Sequence, residues 1–260
     1  MIGTDELDLL ESDLPLSTDA ICLWSIDLDW TDSRVVAAIR ILSEEEQQRA
    51  ARFRREPDRK HFIVGHAVLR LILSHYLETD PREIAFAHNP YGKPGLRNNE
   101  VALDVRFSLA HSDSLALCAV AIGREVGVDL EAIRPDGASM EMARTFFAPE
   151  EVTALSALSG NDFVSAFYRC WTRKEAYVKA KGLGLSLPLS SFVVSVEQNE
   201  ARLLRFDYLE PGARLRWTVL DLPGIQRKES FAAAIAVEIG AKSAPQLISR
   251  DYFASPSRTL

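Results

Sequence analysis

The run FYRCWTRKEAYVKAKG, Phe167 to Gly182, constrains this chain more than any other stretch. Read as a helix, it stacks Trp171, Glu175 and Lys179 along one face at steps of four, and Gly182 supplies the stop. A glutamate four residues before a lysine also decorates ordinary solvated helices, where it contributes only about 0.2–0.5 kcal/mol. The second constraint lies upstream in EVGVDLE, Glu125 to Glu131. Val126, Val128 and Leu130 alternate with Gly127, Asp129 and Glu131, the period of a strand with one apolar face, so Asp129 and Glu131 point the same way. Carboxylates two apart on a strand face repel unless water or a cation separates them, and a third on a nearby helix adds to the repulsion. Hard oxygen donors without paired histidines or cysteines suit magnesium, which takes one or two carboxylates, keeps water and fills its shell with substrate phosphates. On spacing alone, a solvated strand face remains the other explanation.

The length of 260 residues allows one large domain or two of about half that size, and 47% hydrophobic content supports a substantial core. Thirty basic against 37 acidic residues give a net charge of −7, which argues against a general nucleic-acid or membrane-surface binder but leaves room for a local basic patch. The opening MIGTDELDLLESD is acidic where a signal peptide is basic and then apolar, and no later apolar run approaches a membrane span. A soluble, cytoplasmic protein is expected. Cys22, Cys118 and Cys170 lie far apart among apolar neighbours and read as buried, reduced thiols.

In order, an acidic start lying loosely on the surface leads to a strand at Ala20 to Asp29. Ser43 opens a helix with three glutamates in its first turn, followed by the basic run Arg49, Arg52, Arg54, Arg55, Arg59 and Lys60. Apolar spacing from Lys60 to Leu77 describes a largely buried helix, with His61, His66 and His75 as surface or satisfied core groups. The turn NPYGKPGL carries Lys93 on a stiff loop, and the strands VALDVRFSLAHS and LALCAVAIG follow, with His111 near the end of the first. After the acidic strand, FFAPEE starts a helix, the organising helix comes next, and GLGLSLPLSSF is a loop into FVVSVE. RLLRFDYL, LRWTVLDL and FAAAIAVEIG read as strands, and the last twenty residues as a loosely attached tail.

A faint echo runs through the chain. ILSEEEQQRAARF, a helix and strands ending LALCAVAIG resemble FFAPEEVTALSAL, a helix and strands ending FAAAIAVEIG. The reading is an α+β fold built as a pseudo-dimer: an N-terminal half over 1–124 and a C-terminal half over 125–260 that carries the acidic site and ends in the loose tail. The acidic strand then lies where the halves meet, a favoured place for a small ligand.

GVDLE at Gly127 to Glu131, WTRKEAYVK at Trp171 to Lys179, YGKP at Tyr91 to Pro94, FSLAHS at Phe107 to Ser112 and GLSLPLSSF at Gly184 to Phe192 together resemble the Sfp-type 4′-phosphopantetheinyl transferases. The resemblance implies two similar α+β halves with coenzyme A in the cleft. It implies magnesium-dependent transfer of phosphopantetheine from coenzyme A to a serine of an apo acyl or peptidyl carrier protein, leaving adenosine 3′,5′-bisphosphate. Asp129, Glu131 and Glu175 would hold the magnesium, or manganese in its place. Glu175 would act as general base, directly or through a water on the metal, with Asp129 the next candidate. Lys179 would contact the diphosphate, and Lys174, on another side of the helix, would assist coenzyme A binding. Lys93 and His111 match nucleotide-holding positions, and Arg49 and Arg52 positions for the 3′-phosphate. Two positions depart from the pattern: Glu46 stands where the family often has a basic residue, and Ala110 precedes His111 in place of a common serine.

Two other functions stay in view. An adaptor that binds coenzyme A or a carrier without transfer would be expected to lose one of Asp129, Glu131, Glu175 or Lys179, and all four are present. A different magnesium-dependent phosphoryl-transfer or hydrolytic enzyme lacks support from any P-loop or dinucleotide fingerprint. The two-half form fits enzymes serving polyketide or nonribosomal peptide synthases, and a monomer is expected because one chain supplies both sides of the cleft. The surface after Arg134 is a candidate dock for the carrier.

Overall fold

A computed structural model of the chain describes residues 17–97, 103–198, 201–205, 216–222, 231–239 and 245–252. The acidic start expected at the surface lies largely outside the described residues. In the first half, β1 (Ala20–Asp27) is followed by three helices, α1 (Asp32–Ile39), α2 (Glu44–Ala50) and α3 (Glu56–Leu77). The small ribbon β2 (Phe86–His88) and β3 (Pro94–Leu96) and the hairpin β4 (Val105–Ser112) and β5 (Leu115–Ile122) come next. Ser43 starts α2 as its spacing predicts: its hydroxyl accepts the Glu46 N–H at 3.3 Å, and Glu46 Oε2 accepts the Ser43 N–H at 2.9 Å. The basic run does not extend that helix. The chain turns after Ala50 and restarts at Glu56, with Pro57 in the first turn where its missing N–H costs nothing. α3 then buries Ile63, Ala67, Ile72 and Leu73 against Trp24, Ile26 and Cys118 of the sheet.

The second half begins with β6 (Val126–Ala132) and continues through α4 (Met140–Phe146), α5 (Pro149–Ser156) and α6 (Gly160–Lys181). The strands β7 (Val193–Val194), β8 (Leu203–Arg205), β9 (Trp217–Asp221) and β10 (Phe231–Glu238) complete it, and β6, β10 and β9 form a sheet in that order. α6 ends in a left-handed Gly182, the stop read from the sequence. Its small residues Ala176 and Ala180 pack with Ala232, Ala234 and Ala236 of β10, so the helix can lie close on the sheet.

The two sheets meet through their other faces. Ile21, Leu23, Leu117 and Ala119 of the first pack with Val126, Val128, Leu130, Ile235 and Val237 of the second. Along one side β4 and β6 are joined by serine hydroxyls: Ser108 Oγ accepts the Val128 N–H at 3.1 Å and Ser112 Oγ the Ala132 N–H at 3.0 Å. One expectation is corrected here. The tail is not loose throughout, because β11 (Gln246–Tyr252) pairs parallel with β1 from Ala20 to Ile26. Tyr252 is buried in the first half's core and stacks on Trp30. The first sheet therefore has the order β11-β1-β5-β4, its edge strand coming from the far end of the chain. No helix among the described residues is long and apolar enough to cross a membrane.

Candidate active site

Gly127 sets the geometry of the site. A Cβ there would lie 2.2 Å from both the Ala176 carbonyl oxygen and the Ala180 nitrogen, so only glycine lets β6 run this close to α6. With Val126, Val128 and Leu130 committed to the opposite face, Asp129 and Glu131 rise from β6 toward α6, which carries Glu175 and Lys179.

Asp129 is 4% exposed. Its Oδ1 accepts a hydrogen bond from Lys179 Nζ at 2.6 Å, while its Oδ2 is buried without a hydrogen-bond partner among the described residues. Ser112 donates to Glu131 Oε2 at 3.2 Å. Burial pushes the Asp129 carboxyl above its usual range against the pull of Lys179. Burial and then the Asp129 charge raise Glu131. Glu175 is raised by burial, then by Asp129, with a smaller push from Glu131. The three carboxylates thus share one electrostatic site in which Lys179 offsets only part of the negative charge. Among the described residues no group of three or more His, Cys, Asp or Glu side chains is placed to hold a metal ion; magnesium takes only one or two carboxylates, with water and phosphate completing its shell. The buried, unpartnered Oδ2 fits such an ion.

Two cavities flank the site. An apolar one of about 630 Å³ has Glu175 and Lys179 in its lining, with Trp171, Phe107, Leu109, Phe146, Leu187 and Leu189 among its other walls. A polar one of about 850 Å³ is lined by Asp27, Asp29, Arg55, His61, His111 and Arg134 among others. Crowding by surrounding protein, then the charges of Lys179, His61 and His66, hold the His111 imidazole below its ordinary value.

Other expected ligands fall elsewhere. Lys174 is 0% exposed, and its ammonium meets Leu189 O and Phe192 O at 2.7 Å each and Glu151 Oε1 at 2.8 Å. Its three N–H donors are used within the protein, so this structure leaves it no donor free for the expected coenzyme A contact. Lys93 Nζ donates to Glu125 Oε2 at 2.6 Å and to the Ala180 carbonyl at 2.9 Å, and Asn89 donates to the Gly182 carbonyl at 2.7 Å. The turn thus caps the C-terminus of α6, and the Lys93 ammonium is engaged there. Arg49 is exposed and lies over the Phe62 ring at 5.1 Å; Arg52 is exposed; Arg55 and His61, not these two, line the polar cavity. Glu46 faces inward, paired with Arg70 at 2.7 Å and His66 at 2.9 Å, which explains a carboxylate where a phosphate-binding base would stand.

Sequence reading missed Glu151 and Arg173. Glu151 is buried beneath α6, at the same place in the internal echo as Glu46. Arg173, inside the charged motif, is fully buried and grips Asp221 through Nε at 2.7 Å and Nη2 at 2.6 Å. Its immediate neighbours Thr172 and Lys174 are of types found on wet helices, so nothing beside it marked it.

A family model described as the 4′-phosphopantetheinyl transferase superfamily matches residues 125–236, and one described as 4′-phosphopantetheinyl transferase, N-terminal, matches residues 29–122. The 4′-phosphopantetheinyl transferase HetI of Nostoc sp. is 34% identical over 224 residues, 86% of this chain and 90% of its own. The putative 4′-phosphopantetheinyl transferase slr0495 of Synechocystis sp. is 33% identical, covering 70% of this chain and 72% of its own. The 4′-phosphopantetheinyl transferase Sfp of Bacillus subtilis is 32% identical, covering 61% and 68%.

Proposed function

The chain belongs to the 4′-phosphopantetheinyl transferase superfamily as an enzyme of carrier-protein modification, and we propose that it takes 4′-phosphopantetheine from coenzyme A, places it on a serine of an apo acyl or peptidyl carrier protein and releases adenosine 3′,5′-bisphosphate. The observation that carries this reading is the close approach at Gly127, which gathers Asp129 and Glu131 against Glu175 and Lys179 with one carboxylate oxygen buried and unpartnered.

Asp129, Glu131 and Glu175 would hold magnesium. Magnesium held there would supply charge neutralisation for the diphosphate. The serine oxygen forms its bond to the β-phosphorus as the bond to the bridging oxygen breaks, and the electron pair leaves with adenosine 3′,5′-bisphosphate. Glu175 takes the serine proton as general base. Lys179 exchanges its partner, Asp129 Oδ1, for the diphosphate and offsets charge on the leaving oxygen. The apolar cavity beside Glu175 receives the pantetheine arm, and the polar cavity around His111, His61 and Arg55 receives the nucleotide. The enzyme acts in the cytoplasm as a monomer.

The test is the intact mass of an apo carrier after incubation with the protein, coenzyme A and magnesium. Controls omit magnesium, omit the carrier, or use Asp129→Ala. Addition of one phosphopantetheine, lost in the first and third controls, is expected. Cleavage of coenzyme A without carrier would make the protein a hydrolase. Binding of coenzyme A with no transfer to fatty-acid, polyketide or peptide carriers would make it an adaptor.

A further inference from the structure

We propose that Lys174 is a positioning residue, the internal twin of Arg70, and that the Glu151–Lys174 pair sets the wall of the apolar cavity beside Glu175. The two halves carry the same brace. In the first, Glu46 is the third residue of α2, accepts the N–H of the residue before the helix, and pairs with Arg70 Nε at 2.7 Å. Arg70 then donates to the carbonyls of Pro81 at 2.7 Å and Ile84 at 3.0 Å, in the segment that follows α3, and lies 5.0 Å over the Phe86 ring.

The second half repeats each contact. Glu151 is the third residue of α5, accepts the Ala148 N–H at 2.8 Å, and pairs with Lys174 Nζ at 2.8 Å. Lys174 donates to the carbonyls of Leu189 and Phe192, in the segment that follows α6, and lies 4.2 Å over the Phe192 ring. Glu151 also accepts the Val194 N–H at 2.7 Å. Both long helices have 22 residues; Arg70 lies 14 places after Glu56, and Lys174 14 places after Gly160.

The duplication explains what a lysine does inside the motif. Arg70 has no transfer chemistry beside it, yet holds the same place by the same contacts, so the shared role is to tie the following segment to the helix. In the second half that segment is a cavity wall: Leu187, Pro188 and Leu189 face the space into which Glu175 projects. One residue on from Lys174, Glu175 is turned about 100° around the helix. The base and the wall thus hang from adjacent positions of α6.

Only the ligand readouts of the test rest on the coenzyme A reading. The full-length protein would be titrated by calorimetry with coenzyme A and with adenosine 3′,5′-bisphosphate, which lacks the pantetheine arm. Lys174→Met leaves Glu151 buried and uncompensated, and is expected to weaken coenzyme A roughly tenfold while leaving the bisphosphate within about twofold. Lys174→Met with Glu151→Leu removes both charges and is expected to recover coenzyme A affinity to within about threefold. Equal weakening of both ligands, undiminished in the double variant, would make Lys174 a phosphate contact and overturn the proposal. So would a single variant that binds coenzyme A as the parent does. Should Lys174→Met fail to fold, the double variant decides alone by the same criteria. If the parent binds no coenzyme A, the donor reading fails, and the brace is judged by melting temperature: the single variant melting below the double supports it, and the reverse order overturns it.

Discussion

Gly127→Ala tests the geometry on which the site depends. The new Cβ would sit 2.2 Å from two backbone atoms of α6, where ordinary contacts begin near 3.4 Å, so β6 and α6 must part by about 1 Å. Neither atom belongs to a flexible side chain, so relief requires moving an element. Overpacking of this kind costs about 1–3 kcal/mol, and the absence of any yielding neighbour puts this case near about 3. For a chain of this size that lowers the melting temperature by about 6–12 °C. The functional loss should be larger in proportion, because the separation opens between Asp129 and Glu175, and a misplacement of about 1 Å can cost on the order of 10²-fold in rate. Single-turnover transfer to an apo carrier, followed by intact mass, measures the rate; calorimetry measures the melting temperature. Gly95→Ala is the control, since nothing lies within 4 Å of the Cβ it would introduce. A Gly127→Ala protein that melts with the parent and transfers within about threefold of its rate would refute the claim that this contact positions the carboxylates.

Glu175→Gln should abolish transfer yet raise the melting temperature at neutral pH without magnesium. A carboxyl whose folded pKa is raised binds its proton more tightly in the folded state, so ionisation above that pKa costs stability, and glutamine avoids the cost. Retained turnover would remove Glu175 from catalysis, and a lower melting temperature would remove the proposed repulsion. Glu46→Gln should behave in the opposite sense. Burial alone would raise that carboxyl, but bonds from His66 and the Ser43 N–H, with the Arg70 charge, lower it from 4.5 to about 2. Its contribution is therefore complete above about 4.5 and disappears as the pH falls through about 2. Urea denaturation should find the variant less stable at pH 7, with the deficit shrinking across that window; a deficit independent of pH would assign it to packing.

The periodicities carried most of the fold. Val126, Val128 and Leu130 could only belong to a strand with a buried face, and Ser43 with Glu46 marked a helix start by chemistry that neighbours alone complete. Asp129, Glu131, Glu175 and Lys179 were legible as two faces, one on a strand and one on a helix. What joined those faces, the space that Gly127 leaves for Ala176 and Ala180, spans some fifty positions of sequence and had no local sign. The burial of Lys174 had no local sign for a related reason. A lysine among charged residues has the appearance of a surface group, and only the carbonyls of Leu189 and Phe192, brought back by the next segment, turn it inward. The tail was misread because its polar residues suit an edge strand with one face toward water, which composition does not distinguish from a loose end.

The parallel pairing of β11 with β1 also governs how the protein comes into being. Synthesis runs from the first residue to the last, and Ala20 through Ile26 leave the ribosome more than two hundred residues before Gln246 through Tyr252 arrive to bond with them. Until then the growing chain presents an unsatisfied strand edge, together with the Trp30 surface that Tyr252 will cover. The first half therefore completes its sheet only when β11 arrives. Closure of so long a loop makes this a late pairing, and a chain truncated before β11 would lack the strand that covers this edge of β1.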